Sequence, residues 1–190
     1  MAHESTMLAL GTAAPEFSLP DAVSGNTVSS RNFAGKPMLV MFLCTHCPFV
    51  VHVENELATI ANEYGEKVVF VGICANDTST HPADGPEGLK AQAERVGFSF
   101  PYLFDESQDV AKAYTAACTP DFFLFDAGHR LVYRGRMDAS RPRSDVTVTG
   151  EDLRAALDAV TAGETPSEEQ YPSMGCNVKW KAGNEPGYFG

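Results

Sequence analysis

Two cysteines three residues apart, Cys44 and Cys47, stand in the segment Cys44-Thr45-His46-Cys47-Pro48. An apolar run over residues 38–43 leads into it, and a stretch with helical spacing leads out. Thiols placed at a strand end and a helix start suit redox chemistry. The first free N–H groups of a helix and the positive end of its dipole stabilise a thiolate there. That lowers the thiol pKa, and the thiolate is the species that reacts. His46 immediately precedes Cys47. It is placed either to help ionise that thiol and carry the leaving proton, or to face solvent as a turn residue.

The elements that must hold this segment follow from periodicity and punctuation. Residues 11–30 read as a short extended hairpin around Ser24-Gly25-Asn26. After Gly35-Lys36-Pro37, residues 38–43 are apolar on both faces, as a central strand would be. Phe49, Val53, Leu57, Ile60 and Tyr64 recur at steps of three and four, one face of a helix over 48–64. Pro48 suits its first position, where a missing N–H costs nothing, and Gly65 suits its end. A second buried strand is expected over 67–74, then a polar, Gly/Pro-rich loop over 76–88. Helices are expected over 87–96, 108–116 and 151–162, and a short strand over 102–104. Residues 122–125 and 130–134 read as strands joined by the turn Asp126-Ala127-Gly128-His129. Residues 166–190 are rich in Pro and Gly and predict an irregular tail packed on a domain of residues 1–165. The order β-β-β-α-β-α-β-α-β-β-α predicts an α/β fold, a three-layer sandwich with a mixed central sheet.

The chain has 190 residues, 44% of them hydrophobic, enough for one domain with a good core. Its formal net charge is -11 and its basic residues are scattered, which argues against a nucleic-acid surface. No apolar run is long enough to span a membrane. Residues 1–10 carry Glu4 and no Lys or Arg, and their apolar piece, 7–10, is too short for a signal peptide. The expected location is therefore the cytoplasm. There the five cysteines, Cys44, Cys47, Cys74, Cys118 and Cys176, are not a structural disulfide framework.

Longer motifs carry a resemblance. They are Gly11-Thr12-Ala13-Ala14-Pro15-Glu16-Phe17-Ser18-Leu19-Pro20, Asn32-Phe33-Ala34-Gly35-Lys36-Pro37, the Cys44–Pro48 segment, and Cys118-Thr119-Pro120-Asp121-Phe122-Phe123-Leu124-Phe125-Asp126. In these the chain resembles the thioredoxin superfamily, and within it the peroxiredoxin-like branch with an alkyl hydroperoxide reductase and thiol-specific antioxidant (redoxin) domain. The resemblance spans residues 11–163 and implies a thioredoxin-like sandwich with an N-terminal hairpin extension. It also implies that Thr119-Pro120 is a cis-proline turn facing the nucleophilic cysteine and offering backbone groups to an extended substrate.

Two registers compete for the nucleophile. As a plain Cys-x-x-Cys, Cys44 attacks and Cys47 resolves. Aligned on Lys36-Pro37 with relatives that carry Trp-Cys-Pro-Pro-Cys, Cys47-Pro48 falls on the first Cys-Pro, and Val50 replaces the second cysteine. The second register is preferred, because Pro48 marks the helix start and puts Cys47 at or near the N-cap. The resolving thiol is then Cys44 if residues 44–47 form a turn. Cys118, one residue before the presumed cis-proline turn, and Cys176, if the tail folds back, are the further candidates. Cys74 reads as a buried small hydrophobe, Glu54 as a helix-surface carboxylate, and Arg134 and Arg136 as solvated surface. His52 is assigned to the helix polar face, and Thr45 to turn formation.

Three function classes follow. The first is a thiol-disulfide oxidoreductase acting on protein or small-molecule disulfides, with electrons from a thiol or reductase system and no cofactor. The second is a peroxidase with Cys47 as peroxidatic residue. True peroxiredoxins carry Pro-x-x-x-Thr-x-x-Cys, whereas this chain has Val40 and Cys44 at those Pro and Thr positions. The third is a metal-binding or redox-sensing module built on Cys44, His46 and Cys47, although a structural zinc site wants four ligands and no second Cys-x-x-Cys exists. Purified, untagged protein is expected to carry less than a tenth of an equivalent of zinc by elemental analysis, and a full equivalent would favour the third class.

Overall fold

The computed structural model describes residues 2–189. Met1 and Gly190, the outer ends of the expected domain and tail, lie outside the described residues. Three short strands come first: β1 (Ala2–Glu4), β2 (Ser18–Pro20) and β3 (Thr27–Ser29). Then follow β4 (Met38–Phe42), α1 (Pro48–Tyr64), β5 (Val69–Cys74), α2 (Pro86–Val96), β6 (Tyr102–Phe104), α3 (Asp109–Ala113) and β7 (Cys118–Thr119). The chain finishes with β8 (Asp121–Phe125), β9 (Leu131–Gly135), α4 (Glu151–Thr161) and β10 (Met174–Asn177).

The central sheet has the order β6-β5-β4-β8-β9. Strands β4, β5 and β6 run parallel, whereas β8 and β9 are antiparallel to their neighbours. This is the expected mixed sheet. All five residues of β4 are buried, because the strand is covered on both faces. Its alternation separates two apolar layers. Leu39 and Met41 pack with Val50, Leu57 and Ile60 of α1 and Leu153 and Leu157 of α4. Met38, Val40 and Phe42 pack with Ala111 of α3, Tyr114 and Trp180. Strands β2 and β3 form the expected hairpin, with Leu19 opposite Val28.

Helix α1 begins at Pro48 and is followed by Gly65, as its spacing and punctuation predict. Gly65 is needed for space rather than for a left-handed turn. Its φ is -61°, and a Cβ there would lie 2.6 Å from the Ala61 carbonyl oxygen.

Several expectations are corrected. Helix α3 is shorter than 108–116: Gln108 and Thr115 both have positive φ, at 67° and 51°, which stops the helix on either side. Gln108 instead spends its side-chain amide on the carbonyls of Ala75 (2.7 Å) and Lys179 (2.9 Å). The tail is not wholly irregular. Residues 174–177 form β10, which fills the space between β1 and β7 and pairs antiparallel with both. Composition hid this strand because a neighbouring strand edge, rather than local propensity, pairs its backbone. Glu54 is not a surface carboxylate: it is 3% exposed and takes hydrogen bonds from Gln92 (3.0 Å) and both terminal nitrogens of Arg95 (2.7 and 3.0 Å). The arginines after the hairpin are also engaged. Arg134 bonds the Leu8 carbonyl and Gln170, and Arg136 pairs with Asp152 at 2.6 Å and lies over the Tyr171 ring.

Leu57 is fully buried between α1 and the sheet. Leu57→Ala is expected to cost about 2–5 kcal/mol by lost burial and a residual cavity. In urea the unfolding midpoint should fall with an unchanged slope.

Candidate active site

Strand β4 delivers the chain to the site. Leu43 still donates its N–H to the Ile73 carbonyl at 2.9 Å, and the backbone then bends at Thr45 and His46. Cys47 is the N-cap of α1, extended at φ -67° and ψ 123°, and its carbonyl accepts from the N–H groups of Val50 and Val51, each at 3.0 Å. On the facing side, the Thr119–Pro120 peptide bond is cis. Thr119 touches both thiols. Its hydroxyl is hydrogen-bonded to Cys44 Sγ at 3.3 Å, and its carbonyl accepts a hydrogen bond from the Cys47 thiol at 3.2 Å. Cys44, Cys47, Thr119 and Pro120 are thus one cluster, assembled from a strand end, a helix start and a turn far along the chain.

Both sulfurs lie out of water: Cys44 is 1% and Cys47 0% exposed. Burial alone would suppress ionisation. Neighbouring donors reverse this for Cys47. The Cys44 thiol hydrogen-bonded to it is the largest influence, and the Cys176 thiol, the Val50 N–H and the Cys176 backbone add to it. Together they outweigh burial and bring the Cys47 pKa down to about 4. Cys44 moves far upward, because it must keep the proton it shares with Cys47, because it is buried, and because the Asp84 charge is near. The pair ionises as a unit, with the first charge on Cys47. The bend at Thr45 and His46 places the two thiols within each other's electrostatic reach.

The other cysteines divide. Cys74 is fully buried and its pKa is raised by burial, in keeping with a core role. Cys118 is also buried, with its thiol on the carbonyls of Pro120 (3.6 Å) and Ser173 (3.9 Å). Cys176 is half-buried on β10, opposite Thr119, with its pKa pushed up to about 12 by burial and by Cys47.

A buried carboxylate that sequence reasoning missed holds the bend. Asp84 ends a short 3-10 turn, Pro82–Asp84, and is fully buried. Its Oδ1 accepts from the Thr45 N–H (2.8 Å) and hydroxyl (2.7 Å). Its Oδ2 accepts from Asn76 (2.8 Å) and pairs with His46 Nδ1 (2.8 Å). Burial pushes the Asp84 pKa up, but the bonds from Asn76 and Thr45 and the nearby His46 outweigh it, so the carboxyl stays below its ordinary range. Thr45 is thereby a turn anchor, and His46 is fixed from below and stacked on His81 at 4.9 Å. The local signal for Asp84 was only its place in Pro82-Ala83-Asp84-Gly85-Pro86, and Asp77 in the same loop looked no different. His52 meets Ser140 at 3.1 Å and lines a pocket with Phe49, Pro120 and Ser173.

Ligand atoms of Cys44, His46 and Asp84 lie within 4.8 Å of one another, so a cation has three donors there. Both Asp84 oxygens already accept two hydrogen bonds each, which the arrangement would have to give up.

With this geometry in hand, the chain can be compared with known proteins. Residues 9–153 match the family model described as Redoxin. Thiol-disulfide oxidoreductase ResA of Geobacillus kaustophilus is 29% identical over 162 residues, covering 83% of this chain and 81% of that protein. The crystal structure of an uncharacterized conserved protein from Geobacillus kaustophilus superposes with a TM-score of 0.93 at 50% identity, over 95% of this chain and 97% of that one. A secreted Mycobacterium tuberculosis disulfide oxidoreductase, homologous to Escherichia coli DsbE, shares the fold with a TM-score of 0.59 at 18% identity, over 75% and 95% of the chains.

Two outcomes follow from the electrostatics. Alkylation of reduced protein by iodoacetamide should be flat from neutral pH downward and fall off with a midpoint near pH 4, the value set for Cys47. A free thiol, near 8.5, would lose reactivity below pH 8. Because the folded pKa lies below the unfolded one, the unfolded chain binds more protons between the two. The stability gained from the Cys47 thiolate is therefore fully present above about pH 8.5 and lost as pH falls through about 4. The stability difference between reduced protein and Cys47→Ser in urea titrations should shrink across that window. Asp84→Asn should leave the alkylation midpoint of Cys47 nearly unchanged but loosen the bend, seen as faster amide exchange at Thr45 and His46.

Proposed function

The chain belongs to the Redoxin family, and from that membership we propose a thiol-disulfide oxidoreductase worked by Cys47. The observation that carries this reading is the contact of both Cys44 and Cys47 with Thr119 beside the cis Pro120. A thiolate stabilised at a helix start stands next to a protonated thiol, across from the cis-proline turn, whose β7 edge a substrate strand can use by displacing β10. The named relative, a thiol-disulfide oxidoreductase, supports the same class.

In this mechanism the Cys47 thiolate attacks one sulfur of a substrate disulfide. The S–S bond breaks, the second sulfur leaves as a thiolate, and Cys47 is held in a mixed disulfide. Cys44 then gives up its proton and attacks Cys47 Sγ. The substrate's remaining sulfur leaves with the electron pair, and a Cys44–Cys47 disulfide forms. The substrate gains two electrons and the protein loses two. His46, within 4.8 Å of Cys44 Sγ and oriented by Asp84, is placed to accept the Cys44 proton. A thiol or reductase system of the cytoplasm restores the dithiol. Substrates are protein or small-molecule disulfides, and Cys118 plays no part in the cycle.

Peroxide is the second-ranked substrate, and an antioxidant role would follow from it. The Cys47 thiolate has the ionisation that peroxide attack requires, but Cys44 occupies the position of the hydroxyl that orients peroxide in true peroxiredoxins.

Reduction of insulin disulfides by dithiothreitol should be accelerated by the protein and return to the uncatalysed rate with Cys47→Ser. Full activity in that variant would refute the assignment. Thiol loss to hydrogen peroxide should be no faster in the native reduced protein than in a denatured control. A large excess rate that requires Cys47 would move the assignment to the peroxidase.

A further inference from the structure

The Cys47 sulfur has no exposed surface, and part of what encloses it is the C-terminal strand. Strand β10 lies antiparallel on β7, with Cys176 directly opposite Thr119 and Asn177 opposite Cys118. Directly opposed residues of such a pair project to the same face, with Cβ atoms about 4.5–5.5 Å apart. The Thr119 side chain on that face reaches Cys44 Sγ at 3.3 Å, and the Thr119 carbonyl reaches Cys47 Sγ at 3.2 Å. Cys176 therefore projects toward the thiol cluster, close enough that it and Cys47 influence each other's ionisation.

The strand is built to sit this close. A Cβ on Gly175 would lie 2.0 Å from the Thr119 carbonyl oxygen, so only glycine admits β10 to that edge. On one side Ser173 donates its hydroxyl to the Pro120 carbonyl at 2.6 Å and its N–H to Ser5 Oγ at 2.8 Å. On the other, the Val178 N–H donates to the Ala117 carbonyl at 3.1 Å. Of the five cysteines, Cys176 alone is not fully buried, so it can approach Cys47 from the solvent side, whereas Cys44 approaches from within.

We propose that Cys176 is a second resolving thiol, forming a Cys47–Cys176 disulfide as an alternative oxidised state. The step rests on Cys47 being the nucleophile. Once Cys47 carries a substrate sulfur, the Cys176 thiol loses its proton to solvent and attacks Cys47 Sγ. The Cys47–substrate bond breaks, the substrate sulfur leaves as a thiolate with the electron pair, and the Cys47–Cys176 bond forms. The overall change matches resolution by Cys44: one disulfide is reduced and two protein thiols are oxidised. Small disulfides favour this route, because β10 can stay seated beside them. A substrate strand that takes the β7 edge must displace β10 and leaves resolution to Cys44.

The test treats reduced Cys44→Ser, with Cys44→Ala as a second variant against loss of folding, with one equivalent of dithiobis(nitrobenzoate). Resolution by Cys176 releases two equivalents of thionitrobenzoate, and peptide mapping finds Cys47 joined to Cys176. The double variant Cys44→Ser/Cys176→Ser should stop at one equivalent, with the aromatic thiol retained on Cys47. Arrest of the single variants at one equivalent, or a link from Cys47 to Cys74 or Cys118, would overturn the proposal. The double variant separates this from failure of the nucleophile assignment: label found away from Cys47 would sink that assignment instead.

Discussion

A thiolate on Cys47 has no water around it, so the protein itself must supply the groups that hold its charge. That requirement organises the rest of the molecule. The helix start supplies the Val50 N–H, the segment after β4 supplies the Cys44 thiol, and the C-terminal strand supplies Cys176. The Thr119 carbonyl accepts a hydrogen bond from the thiol when the sulfur is neutral. Each group comes from a different element, and each is held by packing that does not depend on the charge. Such preorganisation lets a buried sulfur ionise without local rearrangement.

The supports beneath the site repeat the same economy. Asp84 uses both oxygens to hold the turn between the two cysteines and to orient His46. Behind it, Gln92 donates to the Cys44 carbonyl and to Glu54, and it accepts from Tyr102. Arg95 closes this chain of contacts on Glu54. Every buried polar group named here has partners, as a low-dielectric interior demands. Among the described residues, Asp121 Oδ1 is an exception, and burial drives that carboxyl strongly toward its neutral form.

Local pattern revealed the central framework well, because each element there is specified by its own periodicity. The all-apolar run of β4, the three-and-four spacing of α1 and the Pro48 start each match the structure. The same reasoning placed Cys47 at the N-cap, and the family motif placed Thr119-Pro120 opposite it. It failed where a residue's role is set by a distant partner. Glu54 lies on a helix whose spacing made it a surface position, yet α2 covers it. Asp84 sits in a loop whose composition reads as exposed, yet the bend after β4 buries it. The tail reads as irregular, yet β1 and β7 pair its residues 174–177.

The sequence by itself determined the redox chemistry of the segment, the order of elements and the side of the thiol pair that meets the helix dipole. These depend on neighbours within a few residues, where chain geometry leaves few choices. Tertiary structure alone decided how the charge is stabilised and which thiols can meet it. Thr119 reaches Cys44 across 75 residues of separation, Asp84 reaches Thr45 across 39, and Cys176 lies opposite Thr119 only because β10 returns to the β7 edge. Contacts of that range are set by sheet order and register, which no local stretch of the chain encodes.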